Sequence, residues 1–430
     1  MSLSNESSAG EFTQSWMPWL VCFSASLFFF YEFIQGNMFA SINHEIMRDF
    51  KTDLLGCSWM SSMYYLANVI FLFPAGIILD RYSTKKVILL SLMTCIAGTF
   101  LFAMSESFEL GLLCRFITGI GSAFCFLSCF QLASRWFPPK RMALVTGLIV
   151  TLAMTGGMVA QAPFTHLVVL FGWRSAVMLD GMLGLFIALI IFSFVKDHPY
   201  EQLAHQNKAC HEEVFTFWRA LTLAYGNKQN ILAGVYTSLM NTPVAILGAF
   251  AGSVYLTQAH HYARLESASI NSMIFLGVIF GGPLFGFISD KIGRRKGPMI
   301  VSSLSSIVII FIILYSTGLP IWQMKLLFFL LGLCCSAQVL SYPMVAENNS
   351  LSMTATAVSV VSVITQGGFV LYQTLFSYFL NTSSAHFQGV LHGVAAYQRS
   401  LMLLPGAFFL ALLVVLGLKE TFGKRIEDRS

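Results

Sequence analysis

Apolar residues fall along this chain in long unbroken runs, not in alternation or narrow stripes. Twelve runs near the roughly 20 residues that cross a bilayer as a helix recur at about 16–40, 54–79, 86–105, 109–134, 142–170, 174–195, 229–256, 267–289, 297–317, 321–345, 352–380 and 394–418. Barrel strands would alternate in polarity and be about half as long. The pattern predicts an all-α polytopic membrane protein with 12 transmembrane helices. The longest polar stretch, residues 196–228, separates segments 1–6 (residues 1–195) from segments 7–12 (229–418), and 419–430 form a polar tail. FTFWRALTLAY (Phe215–Tyr225) within the linker reads as a short helix lying along the interface. Residues 1–15 lack the basic start of a signal peptide, so segment 1 is expected to be retained.

Composition agrees: of 430 residues 56% are hydrophobic and 10% charged, against roughly 25% charged in soluble domains. The net charge of +5 comes from the loops. The tails and the connections after segments 2, 4, 6, 8 and 10 hold 18 of the 25 Lys and Arg residues, and the other connections hold 6. That bias places both termini in the cytoplasm. No basic surface interleaved with aromatics points to nucleic acid. Nine cysteines, mostly in apolar runs and without paired CxxC spacing, read as buried packing residues.

The chain repeats itself. GIILDRYSTKK (Gly76–Lys86) after segment 2 and GFISDKIGRRK (Gly286–Lys296) after segment 8 share glycine, aspartate and basic positions at an offset of 210 residues. An offset of half the protein marks a duplicated six-helix unit. With the RFITGIG stretch of segment 4 (Arg115, Gly119, Gly121), these motifs resemble the major facilitator superfamily, over essentially the whole helical region. The second copy matches the family pattern Gly-x-x-x-Asp-Arg/Lys-x-Gly-Arg-Arg/Lys throughout; the first has Ser83 and Thr84 where the family prefers Gly and Arg. The resemblance implies two pseudo-symmetric six-helix bundles around a central cavity. More loosely, YEF in segment 1, SRWFPPKR after segment 4 and GWR before segment 6 resemble a bacterial importer-like branch, which implies the inner membrane. The superfamily loop motifs also imply a gate: Asp80 and Asp290, with Arg81, Lys291 and Arg294, tie helices together on the cytoplasmic side, and Glu347 at the inner end of segment 10 is expected to join them. Lys85, Lys86, Arg294, Arg295 and Lys296 also read more simply as topology charges.

The candidate chemistry is charge inside hydrocarbon. Glu32 lies roughly 12 Å below the outer end of segment 1 and Arg115 roughly 9 Å below that of segment 4, at ~1.5 Å per residue. Each alone costs about 3 kcal/mol or more, so the two are expected to face each other across a polar cavity. Asp180 and His166 share the tier. Glu32 is expected to carry the coupled proton, which a substrate occupying Arg115 would favour. Gln35, Tyr64, Tyr65 and Asn68, with the neutral groups Asn241, Gln338, Tyr342, Gln366 and Gln373 of the second half, are candidate substrate contacts. Pro243 and Gly367–Gly368 are expected to permit bending.

No GxxxxGK[ST], HExxH or GxSxG motif indicates ATP-driven pumping or hydrolysis. No metal or cofactor is expected, because His198, His205, Cys210 and His211 are irregularly spaced for zinc. The reading is a monomeric secondary transporter in contact with lipid, moving protons with a small polar solute. An amino acid or short peptide is favoured, because Arg115 suits a carboxylate and Glu32 an ammonium; an organic anion or nucleoside is the alternative. A proton-linked exporter of drugs or metabolites is the rival transport reading, although TGGMVAQAPF lacks the Gly-Pro pair of family exporters. A transport-dead sensor docking through the linker is the rival of another class.

Overall fold

The computed structural model describes residues 16–137, 141–197, 217–316, 318–349, 354–385 and 394–422. The chain is all-α among these residues, with 12 transmembrane helices in two pseudo-symmetric bundles of six. The first bundle comprises α1 (Met17–Asn37), α2 (Leu54–Arg81), α3 (Thr84–Ala103), α4 (Phe108–Trp136), α5 (Met142–Val159 and Ala162–Phe171) and α6 (Trp173–Phe194). The second comprises α7 (Lys228–Met240 and Val244–His260), α8 (Arg264–Ile292), α9 (Lys296–Tyr315), α10 (Ile321–Glu347), α11 (Thr354–Ala385) and α12 (Val394–Gly417). Ten of these are long and apolar enough to cross a membrane, and the bent pair in α7 makes an eleventh. The 28 residues of α2 span roughly 42 Å at 1.5 Å per residue, ample for the twelfth. Residues 198–216, with the linker histidines and Cys210, lie outside the described residues, whereas Phe217–Gly226 is a helix. The other eight cysteines are free and buried.

We call the side where the described chain begins and ends the termini face, and the opposite side the far face. Three features of the helices bear on the sequence expectation, and the bend at Pro243 is one that it anticipated. Beyond α1 the chain stays helical from Phe39 to Asp49 instead of turning into a loop at Ala40. Phe39, Ile42 and Ile46 recur at helical spacing and are buried on one side of this extension. α7 bends by 45° at Asn241–Pro243, and its next eight residues, Val244–Ala251, form a π-helix. α11 runs unbroken for 32 residues through Gly367–Gly368, so the glycine pair does not interrupt it.

Hydrogen bonds between the halves gather on the far face. Carbonyls of the π-segment, which a widened helix leaves poorly paired, are taken by amides: Asn43 donates to Phe250 O (2.6 Å), Gln161 to Gly248 O (2.8 Å) and Asn271 to Leu247 O (2.8 Å). Asn271 also donates to Gln161 Oε1 at 2.7 Å. Arg264 of α8 forks onto Glu45 of the first half (2.5 and 2.9 Å) and reaches Ser41 O at 2.7 Å. These contacts tie the two halves together on the far face among the described residues.

On the termini face each bundle ends by capping its own third helix. Asp197, just past α6, accepts from Lys85 N (2.8 Å) and Ser83 Oγ (2.5 Å) at the start of α3. Glu420, just past α12, accepts from Arg295 N (2.8 Å) and Lys296 N (3.0 Å) at the start of α9. A carboxylate there satisfies orphan amides and complements the helix dipole. The two loop motifs diverge where their backbones do. Gly293 ends α8 in the left-handed region (φ +67°), where glycine is favoured. Ser83 has φ −57° and uses its hydroxyl to cap α3, accepting from Lys86 N at 3.3 Å. The first copy needs no glycine because its turn is a different one.

Candidate functional site: a buried charge network in the first half

Tyr31, Glu32 and Gln35 lie within two turns of α1 and are all buried. Tyr31 and Gln35 are one turn apart, so Gln35 Nε2 reaches Tyr31 Oη at 3.1 Å, and Tyr31 is hydrogen-bonded to Thr99 of α3 at 3.2 Å. Gln35 also donates to Asp180 of α6. Arg115 of α4 donates to Gln35 O (3.0 Å) and Oε1 (3.4 Å). Its guanidinium, 0% exposed, lies 4.7 Å from the centre of the Tyr64 ring and 5.0 Å from that of Phe39. Tyr64 of α2 turns its hydroxyl to Glu32, donating to Oε1 at 2.7 Å.

The expected face-to-face pairing of Glu32 with Arg115 is therefore corrected. No salt bridge joins them, and the Tyr64 side chain stands between, its ring against the guanidinium and its hydroxyl on the carboxylate. Gln35 plays the matching part between Arg115 and Asp180. Two polar atoms in the network lack a protein partner, Glu32 Oε2 and Arg115 Nε. The tyrosine is positioned by a close helix crossing. A Cβ on Gly119 would sit 2.2 Å from Tyr64 O, so only glycine lets α4 come this near α2.

His166 does not join the network; it is exposed on α5. Tyr65 donates to Gly36 O at 2.7 Å and Asn68 to Ser122 Oγ at 2.9 Å, tying α2 to α1 and α4. In the second half, Asn241 and Gln338 pair amide to amide, with Gln338 Nε2 donating to Asn241 Oδ1 at 2.9 Å. Gln373 donates to Ala245 O at 3.1 Å and keeps a buried, unpartnered Oε1. Tyr342 and Gln366 are half-buried.

On the termini face Asp290 bonds not to its neighbour Lys291 but to Arg295, five residues on (2.6 Å), and Arg295 also donates to Glu347 (2.8 Å). Lys291 and Arg294 are exposed. Arg295 is thus the centre of this cluster and more than a topology charge. Glu347 and Asp290, with direct hydrogen bonds, outweigh its burial and raise its pKa above the usual arginine value. The side chains of Asp80 and Arg81 lie outside the described ones. Sequence reasoning also missed Gln161, Asn43 and the Arg264–Glu45 pair. Gln161 offered a signal, a lone amide inside the apolar run of segment 5.

Comparison with known proteins agrees with this architecture. The Major Facilitator Superfamily model matches residues 21–240 and 231–428. The chain is 24% identical over 319 residues to a probable galactarate/D-glucarate transporter of Bacillus subtilis (strain 168), covering 67% of this chain and 70% of the relative. It is 23% identical over 239 residues to the hexuronate transporter of the same organism, covering 54% of this chain and 56% of that one. The nucleoside transporter NupG shares the fold at a TM-score of 0.74 and 14% identity, with 92% of this chain and 99% of NupG aligned. So does a bacterial homologue of the human lysosomal transporter Spinster in an inward-facing, unoccupied conformation (TM-score 0.69, 17% identity, 93% and 95% covered). The chain belongs to the Major Facilitator Superfamily. It is an integral membrane protein and a secondary transporter of small organic solutes, not an enzyme.

Proposed function

We propose that the protein couples proton entry to uptake of a small carboxylated organic solute, as a monomer in a bacterial inner membrane with both termini cytoplasmic. The observation that carries the proposal is that two carboxyl groups, Glu32 and Asp180, share one guanidinium, Arg115, inside a single buried network. Net charge in a low-dielectric interior is costly. The neutral state of the trio has one carboxylate, one carboxylic acid and one guanidinium, which makes it a store for one proton. A solute carboxylate binding Arg115 adds a negative charge, and taking up a proton restores neutrality. Solute and proton then move together.

The sugar-acid names of the two Bacillus subtilis relatives support a carboxylated, hydroxyl-rich solute. Asn241, Gln338, Tyr342, Gln366 and Gln373 would read its hydroxyls from the second half, and Gln35, Tyr65 and Asn68 would shape the first-half wall. Residues 1–195 and 229–418 would rock about the site, joined by the 196–228 linker. The Asp290–Arg295–Glu347 cluster, already joined within the second bundle, would with Asp80, Arg81, Lys291 and Arg294 gate the cytoplasmic side as the halves rock. An amino acid or short peptide is the second reading, favoured by the unpartnered Glu32 Oε2, which could receive an ammonium.

The test is external pH around proteoliposomes on addition of sugar acids, nucleosides, amino acids or peptides, comparing wild type with Glu32→Gln and Asp180→Asn. External alkalinisation with sugar acids, abolished by either substitution, supports the proposal. Alkalinisation with amino acids alone selects the second reading. Labelled uptake without any proton signal refutes coupling.

A further inference from the structure

Arg115 makes no ion pair among the described residues, although two carboxyl groups share its network. Two neutral side chains stand in the way, Gln35 toward Asp180 and Tyr64 toward Glu32. Tyr64 is fully buried and held from several sides. Besides donating to Glu32 Oε1, its hydroxyl reaches Glu32 O at 3.2 Å, and its ring packs edge-on against that of Tyr65 with centres 5.1 Å apart. A Cβ on Gly36 would lie 3.4 Å from Tyr64 Cε1, so α1 packs directly on the ring.

Opposite charges attract strongly at contact distance in a low-dielectric interior. Direct pairing would satisfy both Glu32 and Arg115, yet the chain keeps them apart and leaves Glu32 Oε2 and Arg115 Nε without a protein partner. A direct pair would be hard to undo, because removing one partner of a buried ion pair strands the other charge. Every proton reaching Glu32 and every anion reaching Arg115 would meet that cost. With a phenol between, neither has an ion pair to break. The other titratable groups electrostatically close to Glu32 are Tyr65, Cys95 and Cys125, neutral at ordinary pH. Of the further elements packed on α1, α6 brings Asp180, α5 offers only the exposed His166 and the π-segment of α7 offers none.

We infer that Tyr64 is a positioning residue of the transport cycle, a wedge that keeps the Glu32 carboxylate off the Arg115 guanidinium so that the cation stays open to a solute carboxylate. That role rests on Arg115 taking the solute carboxylate, as proposed above, and adds what stops the protein's own carboxylate from taking the site first. Ring and hydroxyl divide the task. The ring face satisfies the cation and the hydroxyl satisfies the carboxylate, which no aliphatic side chain can do at once.

The experiment is isothermal titration calorimetry on the purified full-length chain in detergent, with D-glucuronate, D-glucarate and the common amino acids titrated singly. Wild type, Tyr64→Ala, Glu32→Gln and the double variant are compared. Whichever acid wild type binds, Tyr64→Ala should weaken its binding about ten-fold or more, because close opposite charges couple by at least the free energy of one decade in affinity. In the Glu32→Gln background the same change should weaken binding less than about three-fold, because no carboxylate remains there to occupy Arg115. Tyr64→Leu, which keeps more of the volume, serves the same comparison if Tyr64→Ala fails to fold. Equal losses in both backgrounds would assign Tyr64 to packing alone and overturn the wedge, and so would undiminished binding in the folded single variant. Wild type that binds none of these acids refutes the carboxylate site at Arg115 itself, and the wedge with it.

Discussion

Removing the guanidinium of Arg264 should open the far face. This side chain crosses between the halves and makes three hydrogen bonds, two to the Glu45 carboxylate and one to Ser41 O, between 2.5 and 2.9 Å. Fully exposed ion pairs contribute at most about 1 kcal/mol, and hydrogen bonds to charged groups about 1.5–3. The side chains here are 32% and 14% exposed, so a discounted value of about 2 kcal/mol for the cluster is reasonable. Arg264→Ala should therefore shift the closed-to-open ratio of this face roughly 30-fold. The readout is maleimide labelling of Ser253→Cys in a background without native cysteines. Ser253 is 6% exposed and lines a small pocket beside Asn43, His44 and Arg264, so its replacement should label slowly while the face is shut. Labelling should accelerate roughly 30-fold in Arg264→Ala, and Glu45→Gln should act through the same contact, so that the double variant adds little. Rates within two-fold of the parent in both single variants would refute the reasoning. Fast labelling in the parent itself would show that this face is not closed.

Three further outcomes follow from the packing and the caps. Gly119→Ala would drive a methyl to 2.2 Å from Tyr64 O; it should cost about 1–3 kcal/mol, lowering Tm and transport together, whereas Gly76→Ala, with open space around its Cβ, should leave both unchanged. Glu420 is partly desolvated, which raises its pKa, but the amides of Arg295, Lys296, Phe422 and Thr421 outweigh this and hold its carboxyl below the ordinary value of 4.5. Its stabilisation is therefore present above about pH 4.5 and lost as pH falls through the depressed value, so thermal melts of Glu420→Gln should start lower at neutral pH and decline less between about pH 5 and 3. Arg295→Gln strands the Glu347 side chain, 10% exposed, and should destabilise by about 2 kcal/mol or more, while Lys291→Gln at an exposed position should stay within about 0.5.

Helix count and fold were legible because crossing a bilayer demands long apolar runs, a constraint written residue by residue. The buried charges were legible for the complementary reason: Glu32, Arg115 and Asp180 are conspicuous in oil. Their wiring was not, because it depends on rotation about helix axes and on side-chain reach. Tyr64, read as a cavity residue, separates the two charges it was expected to border. Arg295 looked like one of several topology charges, and only the left-handed turn at Gly293 brings it round to Asp290 and Glu347. The extension from Phe39 to Asp49 did carry a helical period, but its modest overall hydrophobicity resembles that of a loop. Nothing local announces a π-segment, and the amides that take its carbonyls come from residues 43, 161 and 271, far apart in sequence.

The carboxylates past α6 and α12 also bear on the order in which the molecule is assembled. A chain emerges from its N-terminus, so the start of α3 enters the membrane before Asp197 has been synthesised, and the start of α9 before Glu420. Each third helix must wait for that carboxylate until the sixth helix of its own bundle is complete, although in α3 the Ser83 hydroxyl already holds Lys86 N. Closure of each bundle is thus tied to the last residues it receives. A ribosome stalled short of residue 197 or 420 would leave that bundle inserted yet lacking the carboxylate that fastens the start of its third helix.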